Sequence, residues 1–94
     1  MPAADTWLTR VTPSWRRRLA GLAGFEPPDA LAVCALDHGS PYADRERLRI
    51  YVRGIVTRED RLTIAHEYVH LAFRFHPSGA DEAFVERLAR SLAY

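Results

Sequence analysis

The sequence predicts a small α+β domain with the element order helix, two strands, helix, helix. Two strand-like runs lie near the middle of the chain, a long stretch free of Gly and Pro follows them, and turn-forming segments separate the pieces. The 94 residues read as one domain over 1–94. A chain of that length buries only about 60 to 65% of its unfolded surface, so its core is small and a bound metal would help to hold it together. Apolar residues at 48% and aromatics at 11% supply enough side-chain burial for a folded globule.

Residues 1–12 are mixed in character and read as loosely ordered. Thr12 offers a cap and Pro13 suits a first helical position, so an amphipathic helix is expected from about Pro13 to Ala23, stopping at Gly24. Its apolar stripe is Trp15, Leu19 and Leu22, with Arg16, Arg17 and Arg18 on a solvated face. The consecutive prolines Pro27 and Pro28 then exclude helix.

The run from Ala30 to Leu36 is short and continuously apolar, as in a buried strand. Residues 37–44 read as a loop from their Gly, Ser, Pro and Asp content. Alternation follows: Leu48, Ile50 and Val52 on one face, and Arg47, Arg49, Tyr51 and Arg53 on the other. That pattern fits a half-exposed strand, and the two strands are expected to form a short antiparallel sheet.

At Thr57 the period changes. Thr57 and Asp60 have capping-box spacing, and no Gly or Pro interrupts Arg58 to about Phe75, so a long helix is predicted with Leu62, Ala65, Val69 and Ala72 or Phe73 inward. Pro77 ends it by disfavouring helix at His76. Ser78 and Asp81 repeat the cap spacing before a last helix with Ala80, Phe84, Leu88 and Leu92 inward.

Thirteen Arg and no Lys against twelve acids give a net charge of +1, and no long single-sign run argues for nucleic acid as a partner. A lone Cys34 permits neither an intrachain disulfide nor a cysteine zinc cluster, and is expected to be buried. No apolar run approaches the roughly 18 to 20 residues of a transmembrane helix. The first fifteen residues lack the apolar centre of a signal peptide, which by itself would put the chain in the cytoplasm.

The chemistry sits in the HEYVH stretch. His66 and His70 are four apart, one helical turn, so both imidazoles can reach one Zn2+ ion at about 2.0 to 2.1 Å. Glu67 projects from the neighbouring sector and is placed to take a proton from a zinc-activated water attacking a carbonyl. Chance gives this pentapeptide roughly once in a hundred chains of this composition, so its position in mid-helix and the carboxylates downstream carry weight. His76 follows His66 by ten residues, the register of the HExxHxxGxxH pattern, but Phe73 stands where that pattern turns on a glycine. His76 is thus the alternative ligand, or else a polar cap near the helix end. Glu82 and Glu86 share a face of the last helix. Either a tight turn at 76–79 brings them to the histidines, one ligating and one supporting a ring N–H, or they form a solvated face with Arg87 and Arg90.

With these residues the chain resembles the gluzincin branch of zinc metallopeptidases, in which HExxH supplies two ligands and a base, and a Glu on a downstream helix supplies the third ligand. The resemblance covers about Leu62 to Ala89, under a third of the chain. It implies a zincin-like fold, His66, His70 and Glu82 as metal ligands, Glu67 as general base, and Glu86 in support of a ligand histidine. It also implies a peptide or protein substrate, a cell-wall amide being the variant, with the exposed edge of the Arg47–Arg53 strand available to an extended peptide. The rival expectation is a non-catalytic interaction module, zinc-stabilised or metal-free. Stretches from Pro41 to Arg53 and from His66 to Arg90 are also similar to the C-terminal region of an uncharacterised family of bacterial predicted secreted proteins. That likeness implies a longer parent chain and a secreted or periplasmic location.

Overall fold

The computed structural model describes residues 1–94. Three helices and a three-stranded sheet alternate as α1 (Pro2–Leu19), β1 (Ala32–Ala35), β2 (Tyr42–Asp44), β3 (Arg49–Val52), α2 (Arg58–Ala72), a 3-10 turn (Pro77–Ala80) and α3 (Glu82–Ala93). The α+β class is as the sequence predicts. No helix is long and apolar enough to cross a membrane.

Helix α1 begins eleven residues before the expected start, with Pro2 and not Pro13 in its first turn. Residues 2–12, read as loose, are helical because Ala4 and Leu8 extend the buried stripe of Trp15 and Leu19 back by about three turns. Asp5 also ties that end to the sheet, its Oδ1 accepting from the Val33 amide at 2.8 Å. Pro13 lies inside the helix, where it forfeits a backbone bond at a cost of about 3 kcal/mol. Burial of two large side chains beyond it offsets that. Leu22 falls past the helix end and is exposed.

The sheet is mixed, correcting the antiparallel expectation. Its order is β1-β3-β2, with β1 parallel to β3 (Val33 opposite Ile50) and β2 antiparallel to β3 (Ala43 opposite Ile50). Strand β2 was missed because it is three residues long inside a turn-rich segment. Its pairing comes from an Asx turn, in which Asp44 Oδ1 accepts from the amides of Glu46 and Arg47, folding the chain back into β3. The Arg47–Arg53 strand is therefore central, and the edge expected there is occupied on both sides. Cys34 is half-buried on β1, less enclosed than expected.

Helix α2 starts where the capping box puts it: Thr57 Oγ1 accepts from the Asp60 amide, and Asp60 accepts in return from the Thr57 amide. It runs through the middle of the molecule. Besides the expected Leu62, Ala65, Val69, Ala72 and Phe73, it buries Ile64, Tyr68 and Leu71, which face other neighbours. Trp15 of α1 packs edge-on against Tyr68 at 5.1 Å, while α3 packs along another side.

Asp81, not Ser78, caps α3, accepting from the amides of Ala83 and Phe84. Its fully buried residues are Val85, Ala89 and, nearly so, Leu92, with Phe84 and Leu88 only half-buried. The inward stripe is thus turned by one residue from the expected one. That rotation puts Glu82 and Glu86, neighbours of Val85 and Ala89 on the helix surface, at the α2–α3 seam.

Candidate metal centre

Positions 66 and 70 emerge on the side of α2 that meets α3, each imidazole about one-fifth exposed. Their Nε2 atoms stand 3.2 Å apart. Glu82, at the N-terminus of α3, sets Oε2 3.1 Å from His66 Nε2 and Oε1 3.2 Å from His70 Nε2. A tetrahedral ion with bonds of about 2.0 to 2.1 Å separates its ligand atoms by about 3.3 Å. One ligand atom from each of the three residues lies within 4.8 Å of the other two, so small shifts of the side chains would close them on one ion.

The other ring nitrogens are fixed by acceptors. His66 Nδ1–H donates to Glu86 Oε2 at 2.9 Å, and His70 Nδ1–H donates to the Gly79 carbonyl oxygen at 2.7 Å. Assigned this way, each neutral imidazole carries its proton on Nδ1 and turns the Nε2 lone pair toward the other and toward Glu82. Two lone pairs and a carboxylate then converge with no donor between them. A cation satisfies that arrangement, and the donor set of two imidazoles and one carboxylate suits zinc. The structure so brings together His66, His70, Glu82 and Glu86, and Glu86 Oε1 also receives Arg90 Nε at 2.9 Å.

The tight turn is what allows the meeting. At Gly79 an added Cβ would collide with the Phe73 carbonyl oxygen, so only glycine lets the 3-10 turn fold against the end of α2 and offer its own carbonyl to His70. His76 does not join the cluster. Its Nδ1 accepts from the Ser78 amide at 3.1 Å, making it the cap of the 3-10 turn. Its ring also lies over Gly24, whose φ of +86° and lack of Cβ permit the approach.

Glu67 is 8% exposed and lines hollows on both sides of the cluster, one shared with His70 and the other with His66 and Glu86. Burial pushes its carboxyl above the ordinary value of 4.5; His70 and His66 draw it down, and Glu82 adds a push upward. Sensitivity to all three residues puts the carboxyl within electrostatic reach of the cluster. No sequence signal marks Gly79 as a histidine partner beyond a glycine in a turn, and none marks Arg45 and Arg74, which line the first hollow. The polar residues available on sequence grounds to stabilise an oxyanion are His38, Tyr42, Tyr51 and arginines such as Arg53; those four line neither hollow, but Arg45 and Arg74 line the first.

Comparison with known proteins bears on descent. The model of a family described as predicted secreted protein (DUF2300) matches residues 1–78. The chain belongs to the DUF2300 family. Its matched part includes His66, Glu67 and His70 and ends before Glu82. A relative from Escherichia coli (strain K12), "Uncharacterized protein YfaQ", is 46% identical over 92 residues. That alignment takes in 98% of this chain but only 17% of the relative's length. No solved structure matches.

Proposed function

We propose that this domain binds one zinc ion through His66, His70 and Glu82 and acts as a zincin-like metallopeptidase. The observation that carries the reading is the convergence of His66 Nε2, His70 Nε2 and a carboxylate oxygen of Glu82 within 4.8 Å of one another, with acceptors at both histidine Nδ1 atoms. When bound, zinc would supply a Lewis acid for a carbonyl and a water. His66 and His70 offer neutral nitrogens, Glu82 balances part of the cationic charge, and Glu86 and the Gly79 carbonyl hold the rings in register. Glu67, buried between the two hollows, takes the proton of the attacking water and delivers it to the departing amine. With β3 paired on both sides, the free edge of β2 takes over as the surface for an extended peptide, and Ala43 of that strand lines the hollow of Glu67 and His70. Membership of a predicted secreted family supports work outside the cytoplasm on an envelope or cell-wall substrate.

A second reading is a zinc staple without catalysis, joining α2 to α3 in a small domain. What favours it is that His38, Tyr42, Tyr51 and Arg53 line neither hollow, which leaves arginines alone to face an oxyanion. Elemental analysis of protein purified without chelator, beside His66→Ala and Glu82→Ala, tests the metal site: about one zinc per chain, lost in both variants, is expected. No zinc, even after its addition, overturns it. Hydrolysis of an unfolded protein substrate, abolished by Glu67→Gln with zinc retained, separates the peptidase from the staple.

A further inference from the structure

The hollow beside Glu67 and His70 has a volume of about 310 Å³, and its far wall carries Arg45, Arg74 and His76. Among the arginines only Arg47 and Arg90 stand in ion-pair contact with a carboxylate, so the charges of Arg45 and Arg74 are unanswered within the chain. Both are nonetheless held in place by neutral groups. Arg74 donates from Nη1 to the carbonyls of Leu71 at 2.7 Å and Glu26 at 3.0 Å, and its guanidinium lies 4.5 Å over the Phe75 ring. Arg45 donates from Nη2 to the Arg74 carbonyl. With Nδ1 of His76 accepting from the Ser78 amide, the proton of its ring sits on Nε2 as a further donor. Glu67 does not answer the arginines, since its carboxyl is governed by burial, the two ligand histidines and Glu82.

Two arginines that line one hollow, each held by neutral groups and neither paired with an anion, can serve as a fork for a carboxylate. We infer that the hollow receives a carboxylate of the substrate at Arg45 and Arg74, next to the bond presented to Glu67. The inference rests on the peptidase reading for the word substrate, but the binding itself requires only the arginines. Beyond them a second hollow continues, lined by the same two arginines with Glu46 and the exposed Phe75. A chain can run on past the fork, so an internal Asp or Glu fits the site better than a chain terminus.

The test uses zinc-treated Glu67→Gln protein, which binds without turnover, and four labelled peptides of one sequence. They combine an internal Glu or Gln with a free or amidated C-terminus, and binding is followed by anisotropy. Peptides with the internal Glu should bind about tenfold tighter than the neutral peptide. Adding Arg45→Gln, an exposed position, should remove that preference while leaving zinc content unchanged. A preference set by the free terminus keeps the carboxylate fork and moves its source to the chain end. Equal binding of all four peptides, or a preference that survives Arg45→Gln, overturns the inference and leaves the peptidase reading standing. Protein that takes up no zinc sinks the peptidase reading, and a carboxylate preference in that same protein still supports the fork.

Discussion

His66 donates its Nδ1 proton to Glu86 Oε2 across the seam between α2 and α3, at 2.9 Å. The contact joins residues twenty positions apart, and with the His66 proton on Nδ1 it leaves Nε2 for a metal. Glu86→Ala is therefore expected to weaken zinc binding by about 10- to 100-fold while leaving one zinc per chain at saturation. Competition against a chromophoric chelator measures it. Unchanged affinity would show that His66 is oriented without its carboxylate partner.

Glu67 gives a pH signature in the metal-free protein. Its folded-state pKa is raised above 4.5, chiefly by burial, so the folded state holds the proton more tightly than the unfolded chain does. The contribution is most favourable below the unfolded value and is lost as pH rises through the folded one. Glu67→Gln cannot ionise. In the presence of a chelator, the thermal midpoint of the variant should gain on that of the parent as pH is raised from about 4 to neutrality. A difference independent of pH would contradict the burial of an ionisable carboxyl there.

Gly79 is expected to tolerate no side chain. An alanine Cβ would meet the Phe73 carbonyl, a backbone group that cannot swing aside. Gly79→Ala should cost about 1 to 3 kcal/mol in stability, read by urea unfolding, and should lower zinc affinity as well because the Gly79 carbonyl orients His70. Loss of stability without loss of affinity would separate the turn from the site.

On the other side of α2 the Tyr68 hydroxyl is buried without a hydrogen-bond partner. Burial raises its pKa above 10.0; Arg16 lies near enough to pull the other way, though not in hydrogen-bonding geometry. Tyr68→Phe keeps the packing against Trp15 and removes the stranded group, so its thermal midpoint should be equal or higher, by up to about 1 kcal/mol in stability. A clear fall would mean that the hydroxyl is bonded in solution.

What the sequence determined by itself is local. The capping box of Thr57 and Asp60 fixed the start of α2, the absence of Gly and Pro carried the helix through, and the four-residue interval put His66 and His70 on one face. Each of these is set by interactions within a turn or two, which a linear pattern records. The i, i+4 pair Glu82 and Glu86 was legible for the same reason, but its two readings were not separable. In the tertiary structure the buried stripe of α3 falls on Val85 and Ala89, which brings both carboxylates to the histidines while Glu86 also pairs with Arg90. It also decided that β1 runs parallel to β3, that Tyr42–Asp44 is the edge strand, and that α1 starts at Pro2. Strand order and register depend on pairing between distant segments, and the extent of α1 depends on burial against β1 and α2. None of those energies leaves a period in the residues themselves, and the close approach that makes Gly79 indispensable exists only once the chain has folded.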